Sequence, residues 1–208
     1  MSKRFRKSSA TKTELFKGKH RFEHWYRDNS VYFITSRCRD RFAAFTSERA
    51  KAIFWDRFLH YTEKYGFAPW VTSLLDNHYH SVGYLKIGEN LGPMMQHIHG
   101  SVAKLVNDTL DVRLVPFWRT AGNQDYFDGC LRDEDQANRA YRYTLKQAVR
   151  HGIVTDYRDY PHTRVNIEMD RAIDRATQIK AFLYDVPYAR YQRTGRLSDQ
   201  STSNRENP

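Results

Sequence analysis

The sequence predicts an α+β fold in which an antiparallel sheet carries helices on one face. Short runs rich in β-branched and aromatic residues alternate with longer runs whose apolar residues recur at helical spacing. Their order along the chain is β-α-β-β-α-β followed by helices, which is the ferredoxin-like pattern. The length of 208 residues suits one domain with extensions, or at most two small domains, and 14% of aromatic residues can fill a substantial core.

The pattern begins with a strand, a long helix and a second strand. Residues 30–38, SVYFITSRC, are predicted to form the first strand because they are rich in β-branched and aromatic residues. The helix has Thr46 or Ser47 as its N-cap and ends at Gly66. Its apolar stripe consists of Ala50, Phe54, Phe58, Tyr61 and Tyr65. Residues 67–76 form the second strand.

The middle of the chain adds two strands and a second helix. Residues 78–85 form the third strand, after a turn at residues 76–77. A helix is predicted over residues 91–107, with an apolar stripe of Leu91, Met95, Ile98, Val102 and Leu105. Residues 124–131 form the fourth strand.

A capped helix follows the fourth strand. Asp133 is its predicted N-cap, Gln136 completes a capping box, and the helix runs to about His151. Its core-facing stripe consists of Ala137, Tyr141, Leu145 and Ala148. Residues 168–184 suggest one more amphipathic helix, whereas residues 190–208 are polar and predicted to be disordered.

The positive charge of the chain is concentrated at its ends. Of the formal net charge of +10, residues 1–21 carry +7 and residues 188–208 carry +2, so the body between them is nearly neutral. Basic arms suit polyanions because each neutralised phosphate releases condensed counterions, although such arms can also serve solubility alone. The predicted partner is a nucleic acid, contacted by the N-terminal cations Lys3, Arg4, Arg6 and Lys7.

Other sequence features favour a cytoplasmic protein. No run of about 18 apolar residues predicts a membrane span, and the basic N-terminus lacks the apolar region of a secretory signal. Cys38 and Cys130 form no CxxC pair and are predicted to be reduced thiols.

Two histidines lie in the middle of the third predicted strand. His78 and His80 are separated by one residue, so their side chains point to the same face, with Cα atoms roughly 6–7 Å apart. Such a pair can ligate a divalent metal ion, or it can simply form hydrogen bonds at a sheet surface. A metal site would need a third ligand from elsewhere in the chain.

The helix after Asp133 offers that ligand. Tyr143 and Gln147 are spaced i, i+4 and share one helical face, which Arg139 and Arg150 flank. This face combines a phenol, an amide and two cations. The alternative is an ordinary amphipathic helix with an exposed tyrosine.

The two motifs together resemble those of the HUH-type single-tyrosine transposases, and most closely those of the REP-associated tyrosine transposases. That family has an HxH strand followed some 60 residues later by Tyr-x-x-x-Gln or Tyr-x-x-x-Asn-Pro on a helix. Four segments are similar to the family pattern in the same order: VYFITSRCRDRFAAF, DNHYH, PFWRTAGNQDYFDGCLRDEDQ and YTLKQAVRHGIV. The resemblance covers roughly residues 30–155.

The resemblance implies a role for each residue of the two motifs. Tyr143 would be the nucleophile. A divalent cation, Mg²⁺ or Mn²⁺, would be held by the side chains of His78, His80 and Gln147. The substrate would be single-stranded DNA with a hairpin, cut through a 5′-phosphotyrosine intermediate that leaves a free 3′-OH. Rejoining would then need no ATP, which fits the lack of a Gly-rich phosphate loop.

The chain departs from the family pattern in two places. Asp76 stands where a proline is usual, and Gln147 and Ala148 replace the Asn-Pro of typical REP-associated members. Glutamine is nevertheless the ligand type of the wider family. Tyr141 is a competing nucleophile, but it lies about 200° around the helix from Tyr143, towards the core.

The predicted organisation follows from these assignments. It comprises a basic arm at 1–29, the catalytic domain at 30–155, a helical extension at 156–187 and a basic tail at 188–208. The predicted enzyme is a DNA-nicking and strand-transferring transposase, nucleoid-associated, and a monomer or homodimer. The alternatives are a domesticated protein that binds DNA hairpins without cutting them, and a metal phosphodiesterase whose nucleophile is water.

Overall fold

The structure, a computed structural model, describes residues 26–119 and 125–182. The predicted DNA-binding residues of the N-terminal arm, namely Lys3, Arg4, Arg6 and Lys7, lie outside the described residues. The predicted tail at 188–208 also lies outside them. The proposals for these segments therefore stay predictions.

Five antiparallel strands form one sheet in the order β4-β1-β3-β2-β5. The strands are β1 (Ser30–Arg37), β2 (Phe67–Leu74), β3 (His78–Leu85), β4 (Phe127–Cys130) and β5 (Thr163–Val165). The first four confirm the predicted β-α-β-β-α-β unit, with ends that differ from the predicted ones by up to three residues. The short edge strand β5 was not predicted, because three residues are too few to show a period.

The helices are α1 (Glu48–Tyr65), α2 (Leu91–Asn107), α3 (Glu134–Leu145), α4 (Gln147–Arg150) and α5 (Met169–Gln178). The Ser47 hydroxyl caps α1 by accepting from the backbone N–H of Ala50, and Gly66 ends the helix with φ of 73°. Asp133 caps α3 by accepting from the N–H of Gln136. These predicted caps are therefore confirmed, and they fix where both helices begin.

Helices pack against both faces of the sheet. On one face, α1 and α2 bury Tyr32, Ile34 and Tyr79, as the ferredoxin-like pattern predicts. On the other face, α3 and α5 pack over Val31 and Val82. Neighbouring strand residues point to opposite faces, so the sheet separates two hydrophobic cores. Both cysteines are buried, and Cys38 and Cys130 are not joined by a disulfide.

Two details of the predicted helices are wrong. In α2, Val106 is fully buried and Leu105 is 37% exposed, because the stripe continues from Val102 by four residues and not by three. The helix after Asp133 is not continuous to His151. It breaks at Lys146, where φ is −92° and ψ is 12°, and a single turn follows.

Candidate active site on one face of the sheet

The two histidines of β3 lie side by side on the face that carries α3. His78 is 3% exposed and His80 is 5% exposed, and their ring centroids are 5.1 Å apart. Tyr79 points to the opposite face, where its hydroxyl bonds to His99 Nε2 at 2.9 Å. The alternation of a strand thus places both imidazoles together and anchors the residue between them in the other core.

Burial controls the protonation of both imidazoles. Desolvation, followed by the nearby charges of Arg37 and His151, lowers the pKa of His78 to about 4 against a smaller opposing effect of the Gln147 amide. Desolvation lowers the pKa of His80 to about 3, with further contributions from His78 and Arg37. Both rings are therefore neutral at pH 7, so each has a lone pair available to a cation.

The side chain of Gln147 completes a cluster around the two rings. It is 1% exposed, its Nε2 donates to the carbonyl oxygen of Tyr143 at 2.9 Å, and the amide lies near enough to His78 to raise the pKa of that imidazole. The break at Lys146 turns Gln147 inward, so the amide is buried although Tyr143, one turn earlier, is exposed. The structure therefore brings together the three side chains that the sequence singled out as metal ligands.

The nitrogens of the two histidines have different environments. Nδ1 of His78 donates to Oδ1 of Asn77 at 2.6 Å, which orients the ring and leaves Nε2 as the basic nitrogen. Nδ1 of His80 is buried and has no hydrogen-bond partner within the described residues. A buried nitrogen without a hydrogen-bond partner lowers the stability of the fold unless another group, such as a cation, uses its lone pair.

Tyr143 lies beside the histidine pair of its own chain. Its ring centroid is 5.1 Å from that of His80 and 6.1 Å from that of Phe33, in edge-on contacts. The guanidinium carbon of Arg150 lies 4.9 Å from the centre of the Tyr143 ring. Tyr143 is 38% exposed, so solvent reaches a side chain that packs against the buried cluster.

The other tyrosine and the other predicted cation lie elsewhere on α3. Tyr141 is 2% exposed, and its hydroxyl donates to the carbonyl of Ile167, as expected for a core residue. Burial raises the pKa of Tyr141 well above its ordinary value, which disfavours its phenolate. Arg139 is exposed, and within the described residues no ion pair or ring contact joins it to Tyr143.

Two residues of the cluster were missed in the sequence. His151 is exposed and its ring centroid lies 5.2 Å from that of His78. Its spacing of four residues from Gln147 was an available signal. Arg37 faces His78 across the β1–β3 pair, and this register could not be read from the sequence.

Two kinds of feature are absent from residues 26–119 and 125–182. Within these ranges no group of three or more His, Cys, Asp or Glu side chains is arranged to hold a metal ion. A site at His78 and His80 would thus depend on the amide of Gln147 as its third ligand. Within the same ranges no helix combines the length and the apolar character needed to cross a membrane.

Comparisons with known proteins support the fold. No family model matches the chain, and no curated protein matches it. Among solved structures, the chain is similar to a REP-associated tyrosine transposase bound to a REP hairpin. The match covers 70% of this chain and 82% of the transposase, with a TM-score of 0.58 and 15% sequence identity. The two proteins share a fold, which agrees with the resemblance that the sequence motifs indicate.

Proposed function

We propose that the protein is a metal-dependent endonuclease and strand transferase that acts on hairpin-forming single-stranded DNA. The observation that carries the proposal is the contact between the Tyr143 ring and His80, next to the buried cluster of His78 and Gln147. The shared fold supports it, since the similar solved protein is a transposase bound to a DNA hairpin. Such an enzyme would act in the cytoplasm, at the nucleoid.

The cluster suits a divalent cation such as Mg²⁺ or Mn²⁺. Two neutral imidazoles and an amide oxygen are competent ligands, and the partnerless Nδ1 of buried His80 fits such a role. His78, His80 and Gln147 would hold the ion. When bound, it would polarise a non-bridging phosphate oxygen and offset charge in the transition state.

The phenol of Tyr143 would act as the nucleophile. The phenol loses its proton to solvent as a bond forms between its oxygen and the phosphorus; the bond from phosphorus to the 3′ oxygen breaks, and that oxygen takes up a proton. The products are a 5′-phosphotyrosine and a 3′-OH. A phenol leaves more readily than a sugar hydroxyl, so a 3′-OH can later expel the tyrosine and rejoin the strand. Arg150, beside the ring, would attract the phosphate.

Incubation of the protein with a labelled hairpin oligonucleotide and Mn²⁺ tests the proposal. We expect cleavage and a covalent protein–DNA band on a denaturing gel, both lost in Tyr143→Phe. Tyr141→Phe is the matched control and should keep the adduct. Equal cleavage by wild type and Tyr143→Phe, without an adduct, would show that the assignment is wrong.

A second candidate is a protein that binds DNA hairpins without cutting them. It is favoured by the replacement of the usual proline by Asp76, and by the hydrogen bond to the Tyr143 carbonyl that already engages the Gln147 amide. Hairpin binding that needs no metal and gives no adduct would support this candidate. Cleavage that survives Tyr143→Phe but not EDTA would instead indicate a water nucleophile.

A further inference from the structure

The face of the sheet that carries the histidine pair is only partly covered. On this face α3 packs chiefly against β2 and β3. Of the β1 residues that point to it, Val31 is buried under the helices, whereas Phe33, Thr35 and Arg37 are each half-buried. Those that point to the other face, Tyr32, Ile34 and Ser36, are buried. The β1 side of this face is therefore partly open to solvent, next to Tyr143.

Two arginines form a row with His78 on this open side. The segment around Trp118 pairs with the end of β1, since the N–H of Arg119 donates to the carbonyl of Arg37 at 2.7 Å and Cys38 faces Trp118. Arg37 in turn faces His78. Directly opposed residues of antiparallel strands project to the same side of a sheet. Arg119, Arg37 and His78 thus form one row.

Neither arginine of this row has a carboxylate partner within the described residues. Arg119 is exposed, and Arg37 is close enough to both buried histidines to lower their pKa values. Two carboxylates of the following segment are engaged or point to the opposite face. Asp125 bonds to His99, and Asp128 is buried. The positive charge of the row is therefore available to an anion.

An aromatic ring lies one step further along the same face. The ring of Phe33 stacks on that of His80 with centroids 5.7 Å apart and planes inclined by 5°, and it meets Tyr143 edge-on. Arginines beside a partly exposed aromatic ring suit the binding of single-stranded nucleic acid. Its phosphates attract cations, and its unpaired bases stack on aromatic side chains. A duplex offers only its phosphates to such a surface.

We propose that Phe33, Arg37 and Arg119, called the platform below, bind the single-stranded DNA that adjoins the hairpin and lead it to Tyr143. Arg37 and Arg119 bind phosphates, and Phe33 supports a base. This inference rests on the proposed function and adds the path of the substrate to it. Neither Arg37 nor Arg119 is among the DNA-binding residues predicted from the sequence.

Binding to two probes tests the platform. Fluorescence anisotropy in EDTA measures the affinity of the full chain for a hairpin with short oligothymidine extensions and for the same hairpin with blunt ends. We expect Arg119→Ala to weaken binding of the extended probe several-fold and to reduce the slope of log affinity against log salt by about 0.7. Phe33→Leu, which keeps an apolar side chain but removes the aromatic stacking surface, should cost at least about five-fold in affinity for the extended probe.

Control variants distinguish binding at the platform from general effects of lost charge or lost stability. Arg57→Ala removes an arginine from α1 on the opposite face and should change neither affinity by more than about two-fold. Equal weakening of both probes by Arg119→Ala would show that the surface contacts the hairpin stem and would overturn the platform. If Arg119→Ala and Phe33→Leu both bind the extended probe as tightly as wild type, the platform is also overturned.

The two proposals can fail separately. A covalent adduct in wild type, together with unchanged affinities of the platform variants, would refute the platform and keep the transposase function. The absence of any adduct, with selective loss of extended-probe binding in Arg119→Ala, would support the platform and refute the chemistry.

Discussion

Replacing Gln147 with glutamate or with leucine separates the structural role of this residue from its proposed role as a metal ligand. Its amide donates to the Tyr143 carbonyl at 2.9 Å and lies beside His78, in a position that is 1% exposed. Glutamate has nearly the same shape, but when ionised it only accepts hydrogen bonds. In Gln147→Glu, two acceptor oxygens therefore meet where the amide now donates. Gln147→Leu removes every polar atom of the side chain.

The magnitude follows from the lost hydrogen bond. An unsatisfied buried polar group costs about 1–3 kcal/mol, so both variants should lower the free energy of unfolding by that amount without metal. For a chain of this size each kcal/mol corresponds to about 2–4 °C in Tm. A metal at 100 times its Kd would add about 2.7 kcal/mol to any variant that binds it. Wild type and Gln147→Glu should show this rise, and Gln147→Leu should lose most of it.

Thermal unfolding with EDTA and with Mn²⁺ measures these shifts. Gln96→Leu, at an exposed position on α2, is the control for a change from amide to apolar side chain and should behave as wild type. An equal rise in Tm with Mn²⁺ in wild type and in Gln147→Leu would contradict the assignment of Gln147 as a ligand.

Three further outcomes are expected. Tyr141→Phe removes the hydrogen bond to the Ile167 carbonyl and should lower the free energy of unfolding in urea by about 1 kcal/mol, with adduct formation intact. Loss of the adduct in this variant would contradict the assignment of Tyr143 as the nucleophile. The pKa values of His78 and His80 in the folded chain, about 4 and about 3, lie below the ordinary 6.5, so the unfolded chain takes up protons first. The metal-free protein should therefore keep its full stability above pH 6.5 and lose about 1.4 kcal/mol per pH unit for each histidine as the pH falls from 6.5 towards 4, and a flat profile in urea unfolding would contradict this. Ser47→Ala should cost about 1 kcal/mol through the lost cap of α1, with Ser47→Gly costing less; equal stabilities of the three proteins would contradict the cap.

Local signals in the sequence predicted much of the fold. Ser47 and Gly66 mark the ends of α1 because capping depends on residues within one turn of the helix end. The HxH motif placed both histidines on one face because the period of a strand is fixed. The helix with Tyr143 was found from its cap at Asp133 and its apolar stripe.

Features set by tertiary contacts could not be predicted in this way. The break at Lys146 has no glycine or proline to mark it, yet it decides that Gln147 is buried. The position of Arg37 beside His78 depends on strand register, and that of Arg119 depends on pairing with a segment some 80 residues away. The sequence singled out His78, His80, Tyr143 and Gln147, whereas His151 and Arg37 became visible only in the fold.

Peptide mapping of the covalent protein–DNA adduct by mass spectrometry tests the central claim most directly. The protein is incubated with a hairpin oligonucleotide that carries single-stranded extensions and Mn²⁺, then digested. We predict a nucleotide attached to the peptide at Tyr143, and none when EDTA replaces the metal. Attachment at another residue, or cleavage with no modified peptide, would contradict the account.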